Sequence, residues 1–296
     1  EETLAASLDA RLRSMLREGT TTVEVKSGYG LTTADELKML RAIAAARPHF
    51  PGTIVATALL GHAIDPDQPG FVGITVRQTL AAVASEFPGV CVDAFCEKGA
   101  WDLEQCVLLL NRAREMGCPV RVHADQFNDL GMAAAAVRLG ARSVDHLEAS
   151  TKESLASVAG AKETAGVMLP ACGFHLDGRY ARGRRFVMDG GALCIASNWN
   201  PGSAPCPSMQ FVIALAVRHL GLSVNEAITA ATVNPARVLG LGDRGVVAPG
   251  MRADLVLVRH TDERGIAFEF GGNAVERVWC GGVEACAGGS LRSATL

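Results

Sequence analysis

Residues 120–145 read Val120-Arg-Val-His-Ala-Asp-Gln-Phe-Asn-Asp-Leu-Gly-Met-Ala-Ala-Ala-Ala-Val-Arg-Leu-Gly-Ala-Arg-Ser-Val-Asp145. A short apolar run, Val120–His123, is followed by a helical stretch, Met132–Leu139, and then by a second short run, Ser143–Asp145. Runs this apolar are strands buried on both faces, as in parallel sheets, where a helix returns the chain between neighbours. The same alternation extends outward. Strands are expected at Thr21–Val25, Ile54–Leu59 and Val90–Phe95 before this stretch, and at Val167–Leu169 and Ala192–Ala196 after it. Helical patterns lie between them at Ala34–Ala46, Val76–Glu86, Leu103–Met116, Lys152–Ala159 and Ala181–Met188. Seven such alternations fit a TIM (β/α)8-type barrel lacking one unit, a full barrel needing roughly 250 residues. A doubly wound open sheet is the alternative, but no Gly-rich phosphate loop follows any strand to support it.

Beyond the last strand come helices near Met209–Leu220 and Val224–Thr232. The chain then changes character: Gly245–Val258 is a turn leading into a strand, and Ala274–Trp279 reads as another. The division expected is a barrel domain over 1–240 and, over 241–296, the C-terminal strands of a small composite β-sandwich domain.

Composition suits this fold and excludes other classes. Of the 296 residues, 49% are hydrophobic, 20% charged and only 5% aromatic, which suits closely packed helices on parallel strands. A net charge of −3 with scattered Lys and Arg gives no electrostatic footprint for nucleic acid. The densest basic cluster, Arg179, Arg182, Arg184 and Arg185, reads as a solvated helix face. No apolar run reaches membrane-span length and no signal peptide is evident, so no membrane partner is expected. Nine cysteines without zinc-knuckle spacing read as buried free thiols of a cytoplasmic protein. Glu1 is not an initiator Met, and Leu4, Leu8, Leu12, Met15 and Leu16 form an amphipathic pattern already under way. A preceding segment is therefore expected.

In a barrel the reactive groups project from the carboxyl ends of the strands. The polar residues there are Lys26, Tyr29, His62, Glu97, Lys98, His123, Asp125, Gln126, Asp145, His146, Glu148, His175, Asn198 and Asn200. Four of the seven histidines fall in this set, while His49, His219 and His260 lie in helices or loops. A single strand-end histidine is more often a satisfied core residue than a ligand. Four at one mouth point instead to a metal centre, where an ion lowers the pKa of bound water toward neutrality.

Several strings carry a more specific resemblance. Gly19-Thr-Thr-Thr-Val-Glu-Val-Lys-Ser-Gly-Tyr-Gly-Leu31, Glu36-Leu-Lys-Met-Leu40, Phe95-Cys-Glu-Lys-Gly99, His123-Ala-Asp-Gln-Phe127, Asp145-His-Leu-Glu148 and Asn200-Pro-Gly-Ser203 occur in this order. Together, from the first residue to about Gly282, they resemble the imidazolonepropionases, cyclic amidohydrolases of histidine breakdown. The resemblance implies one zinc (Zn2+) or iron (Fe3+) ion, a commonly homodimeric protein, and the hydrolysis of 4-imidazolone-5-propanoate to N-formimidoyl-L-glutamate. It also implies a His-x-His metal pair on a first strand, a His on the fifth and an Asp on the eighth. His123 matches the fifth-strand ligand. No His-x-His pair occurs in the 296 residues, so the first strand, this pair and a substrate-binding Arg are expected upstream of Glu1.

The eighth-strand motif departs from the family's Asp-x-Asn-Pro-Gly, reading Asn198-Trp-Asn-Pro-Gly202. The family's Asp both binds metal and takes a proton from water. Asn198 can offer a carbonyl oxygen to the metal but is no general base. His146, on the neighbouring strand and with an imidazole suited to proton transfer near neutrality, is the substitute expected. Tyr29 and His62 match substrate-binding positions, although Gly61-His-Ala63 is one residue shorter than the family's Gly-Ala-His-Ala. Gln126 matches a position that touches the imidazolone ring. Asn200, Gly202 and Ser203 form a turn expected to receive an anionic end of the ligand on its backbone N–H groups. Two other readings stand beside this one. Asn198 is compatible with an impaired barrel serving as a binding or scaffold protein, and a deaminase of the same superfamily lacks the Lys-Ser-Gly-Tyr-Gly and Phe-Cys-Glu-Lys-Gly strings.

Overall fold

The structure is a computed structural model and describes residues 1–291. Seven strands form one sheet: β1 Thr22–Lys26, β2 Thr53–Gly61, β3 Cys91–Cys96, β4 Val122–Ala124, β5 Ser143–His146, β6 Ala165–Met168 and β7 Leu193–Ile195. Each pairs in parallel with the next, in the order β1-β2-β3-β4-β5-β6-β7. This order removes the doubly wound alternative, which requires a point where strand order reverses. Parallel crossovers are right-handed as a rule, and with strand order never reversing that places the helices on one face of the sheet. The other face must be covered by the sheet's own curl. Lys26 Nζ, at the end of β1, reaches Asp93 on β3 at 2.6 Å and Asp145 on β5 at 3.3 Å.

Strand alternation sorts residues between these two faces. Val92, Ala94, Val122, Ala124 and Val144 join the helices' Leu109, Leu110 and Met132 in one continuous core. Their neighbours Asp93, Arg121, His123 and Asp145 belong to the opposite, inner face. On β6 and β7 the inner face is apolar, and Ala165, Val167, Leu169, Cys172 and Cys194 form a separate small cluster. The polar half of the inner face thus lies over β1 to β5.

The helices start where the sequence supplies caps. Thr32, Thr151 and Ser208 accept a backbone N–H at the starts of helices Thr33–Ala46, Lys152–Ala159 and Met209–His219. Asp102 with Gln105, and Ser223 with Glu226, form reciprocal capping boxes on helices Leu103–Glu115 and Val224–Ala231. The helix expected from Val76 begins earlier, at Phe71, and passes through a π turn at Thr75–Thr79 before continuing to Glu86. A short helix, Pro170–His175, was not anticipated.

Four antiparallel strands, β8 Leu255–Val258, β9 Val275–Cys280, β10 Val283–Ala287 and β11 Ser290–Leu291, make the second sheet in the order β11-β10-β9-β8. Both strands expected in the tail are present; the hairpin formed by β9 and β10 adds a third. The two sheets are joined by side chains. Gln210 donates to Asn273 Oδ1 at 2.9 Å and accepts from Ala274 N at 2.9 Å, while Asn273 donates to the Arg17 carbonyl at 2.8 Å. Arg244 donates to Thr53 Oγ1 at 2.6 Å. Among the described residues no helix is long and apolar enough to cross a membrane.

Candidate active site

Parallel strands end on one side, and there the chain leaves ordinary backbone geometry. Asp125 after β4, His146 and Leu147 at the end of β5, and Asn198 after β7 all have positive φ, between 59° and 89°. Such conformations cost about 1–3 kcal/mol each and gather where side chains are aimed at a ligand. Asn, Asp and His bear them most readily, whereas at Leu147, with φ 72°, the strain is greater.

Below this rim a buried charge network fills the inner face. Arg121 donates to Glu24 at 2.7 Å, Lys26 bridges Asp93 and Asp145, and Ser143 donates to Asp145 at 2.6 Å. Burial disfavours the Lys26 ammonium, but Asp93, Glu24 and Asp145 more than reverse that and hold it charged. Burial likewise pushes the Asp93 carboxyl up, and His123 with Lys26 overcomes it, keeping the group ionised.

His123 sits on this network. Its Nδ1 lies 3.2 Å from Asp93 Oδ1 and 3.1 Å from Oδ2. A carboxylate at Nδ1 fixes the proton there and leaves Nε2 with its lone pair, the arrangement typical of a metal-binding histidine. Nε2 has no hydrogen-bond partner among the described residues, and the side chain is 13% exposed. The His146 ring stands 5.4 Å away, centre to centre. His146 Nδ1 lies 3.3 Å from Glu148 Oε1. Burial alone would depress its pKa, but Glu148 and Cys172 beside it raise the value to about 10. A pKa raised in this way favours the imidazolium over the near-neutral imidazole expected from sequence. Gln126, also buried, donates to Cys172 Sγ at 3.4 Å.

The remaining expected residues meet across the sheet. The Tyr29 hydroxyl, beyond β1, accepts from Asn200 Nδ2, beyond β7, at 2.9 Å. The His62 ring packs edge-on against Tyr29 with centroids 4.6 Å apart, and its Nδ1 lies 2.9 Å from the Gly28 carbonyl oxygen. Asn198 Nδ2 donates to Ser203 Oγ at 3.0 Å, leaving the Asn198 carbonyl oxygen unused in that bond. The N–H of Gly202 donates to Asn200 Oδ1, and those of Ser203 and Ala204 donate to the Asn200 carbonyl. This is an Asx-type turn. Its N–H groups are engaged internally, not presented to an anion as expected. His175 does not join the site: it ends the helix Pro170–His175 and is exposed.

Two groups of mixed donors lie within 4.8 Å: Asp93, His123 and Asp145, and His146, Glu148 and Cys172. In the first, Lys26 already pairs with both carboxylates, so His123 is its available ligand.

Residues 1–284 match the amidohydrolase family. An imidazolonepropionase of Deinococcus deserti is 41% identical over 281 residues, 95% of this chain and 70% of that protein. One of Symbiobacterium thermophilum is 42% identical over 277 residues, 91% of this chain and 65% of that protein. The chain belongs to the imidazolonepropionase family. It spans about two thirds of the length of these relatives. The fold of this chain is also found in distant structures. A mutant of atrazine chlorohydrolase from Arthrobacter aurescens, complexed with zinc and atraton, superposes with a TM-score of 0.78 at 17% identity, over 98% of this chain and 73% of that one. The 5-methylcytosine deaminase of Klebsiella pneumoniae does so at 0.75 and 17%, over 94% and 73%.

Membership in the imidazolonepropionase family does not by itself reveal Asp93 or Cys172, which sequence reasoning missed. For Asp93 a signal existed, because a lone acid inside the apolar run Val90–Phe95 demands a buried partner. Cys172 offered none: its partners come from two other segments.

Proposed function

We propose that this chain carries the strand-end site of an imidazolonepropionase, opening the ring of 4-imidazolone-5-propanoate with water to give N-formimidoyl-L-glutamate. The observation that carries the reading is the Tyr29–Asn200 hydrogen bond, which links strand ends 171 positions apart at one mouth. It joins residues that family resemblance alone had paired with one substrate.

The curled sheet is read as seven strands of a (β/α)8-type barrel over 1–240, with 241–296 contributing the small β-domain, of which 292–296 lie outside the described residues. The site residues fit one zinc or iron ion in part. His123 supplies a nitrogen prepared by Asp93, and Asn198 supplies a carbonyl oxygen, whereas a catalytic zinc takes three protein ligands. Such an ion, when bound, supplies the Lewis acidity that polarises water and the ring carbonyl. The chain's own groups do the rest. Tyr29, accepting from Asn200, keeps its hydroxyl proton for the substrate. Ser203 likewise accepts from Asn198 and keeps its own. Gln126 presents its amide oxygen to a ring N–H. His62 and Gly202 close the substrate-binding rim, Gly202 by the small size of its backbone. His146, held protonated by Glu148, donates to the oxygen or nitrogen on which negative charge develops. A homodimer in the cytoplasm, with no nucleic-acid or membrane partner, completes the reading; the net charge of −3 accords with the lack of a nucleic-acid partner and the nine free cysteines with the cytoplasm.

Asn198 favours a second reading, an impaired barrel that binds ligand without turnover. Loss of 4-imidazolone-5-propanoate by the full-length protein, followed by absorbance, separates the two, with Asn198→Asp in parallel. Restoring the carboxylate is expected to raise kcat on the order of 10²–10⁴-fold. Turnover by Asn198→Asp alone supports the impaired barrel, and equal rates place the base elsewhere. No turnover by either protein would sink the substrate assignment.

A further inference from the structure

Outside the His123 network, three side chains of different chemistry converge at the end of β5 and the start of the helix Pro170–His175. The His146 ring nitrogen, the Glu148 carboxylate and the Cys172 thiol bring donor atoms within 4.8 Å of one another. All are deeply buried: His146 and Cys172 are 3% and 2% exposed, and the Glu148 side chain 5%. Glu148 Oε2 has no hydrogen-bond partner, although it stands 3.2 Å from His146 Nδ1. A buried carboxylate oxygen without a donor is costly, and it is relieved by a cation or a further hydrogen bond.

We propose that His146, Glu148 and Cys172 form a second cation site, separate from the His123 centre, that takes zinc. Nitrogen, oxygen and sulfur together match zinc's ligand preferences, and the thiolate selects against magnesium and calcium. Tetrahedral zinc donors stand roughly 3.5 Å apart, given bonds of about 2.0–2.3 Å. Glu148 and His146 already meet that spacing. The ion takes the place of the proton that His146 shares with Glu148, setting two positive charges against a carboxylate and a thiolate. Gln126, which donates to Cys172 Sγ, serves as the outer partner that orients the sulfur.

Cobalt(II) titration of chelator-treated protein tests the site without relying on turnover, because thiolate ligation produces a near-ultraviolet charge-transfer band. The His123 centre includes no cysteine and contributes no such band. The band is expected in the unaltered protein and in His123→Ala, and added zinc should bleach it. It should vanish in Cys172→Ser, while Glu148→Gln should weaken cobalt binding by at least roughly tenfold. Absence of the band from the unaltered protein would overturn the site, as would a band undiminished in Cys172→Ser.

Discussion

His146 and Asp125 are both buried at strand ends, and both hold protons more tightly than usual, for different reasons. At His146 burial opposes the charge and the Glu148 carboxylate restores it, lifting the pKa from 6.5 to about 10. The protonated form is the stabilised one. This contribution is complete below about pH 6.5 and is lost as pH rises through about 10. Metal-free protein should therefore lose thermal stability between pH 6.5 and 10, and Glu148→Gln should flatten that slope. A melting-temperature series with equal slopes for both proteins would contradict the assignment. At Asp125 burial itself raises the pKa from 3.8 to about 6, against a hydrogen bond from Ser150, and Asp129, Glu97 and Glu148 add to the rise. Its contribution is complete below about pH 3.8 and lost as pH rises through about 6. Asn bears the residue's φ of 59° well and never ionises. Asp125→Asn should consequently gain on the order of 1 kcal/mol relative to the parent at pH 8, and less at pH 4, in paired denaturant titrations.

At the scale of elements, local chemistry governs. The helix Leu103–Glu115 begins at Asp102 because that side chain accepts from Gln105 N while Gln105 returns a bond to Asp102 N. Asp102→Ala should cost about 1 kcal/mol, within the usual range of 0.5–2, read as a fall in unfolding midpoint without a change in slope. Local signals of this kind explain what the sequence made legible. Every strand of the parallel sheet lies within two residues of its expected ends, because apolar runs between capped helices leave little freedom. The hairpin β9–β10 was missed despite a clear signal, since Gly281-Gly282, both with positive φ, is a two-residue turn between apolar runs. The π turn at Thr75–Thr79 and the helix Pro170–His175 had no comparable marker. At the site, His123, Tyr29, His62, Gln126 and Asn200 were legible through motif strings. What each touches was not. The Asp93–His123 and Gln126–Cys172 contacts join segments 30 and 46 residues apart, and the raised pKa of His146 depends on which way Glu148 turns.

For the whole molecule, sequential strand order matters most. Each strand finds its partner one unit away, so the sheet can be laid down progressively. The contacts that bring its two flanks together are of another kind: Lys26 with Asp145 spans 119 positions, and Tyr29 with Asn200 spans 171. Closing loops of that length carries an entropic penalty that neighbouring strand pairs avoid. The mouth is therefore expected to assemble last and to come undone first. Its bonds govern how long the folded state lasts, while the speed of folding is set by the β–α units that precede it. Asn200→Ala should accelerate unfolding and leave the refolding arm of the chevron nearly unmoved. Ligand binding at this mouth would then lengthen the protein's lifetime directly, because it fastens the seam at which unravelling begins.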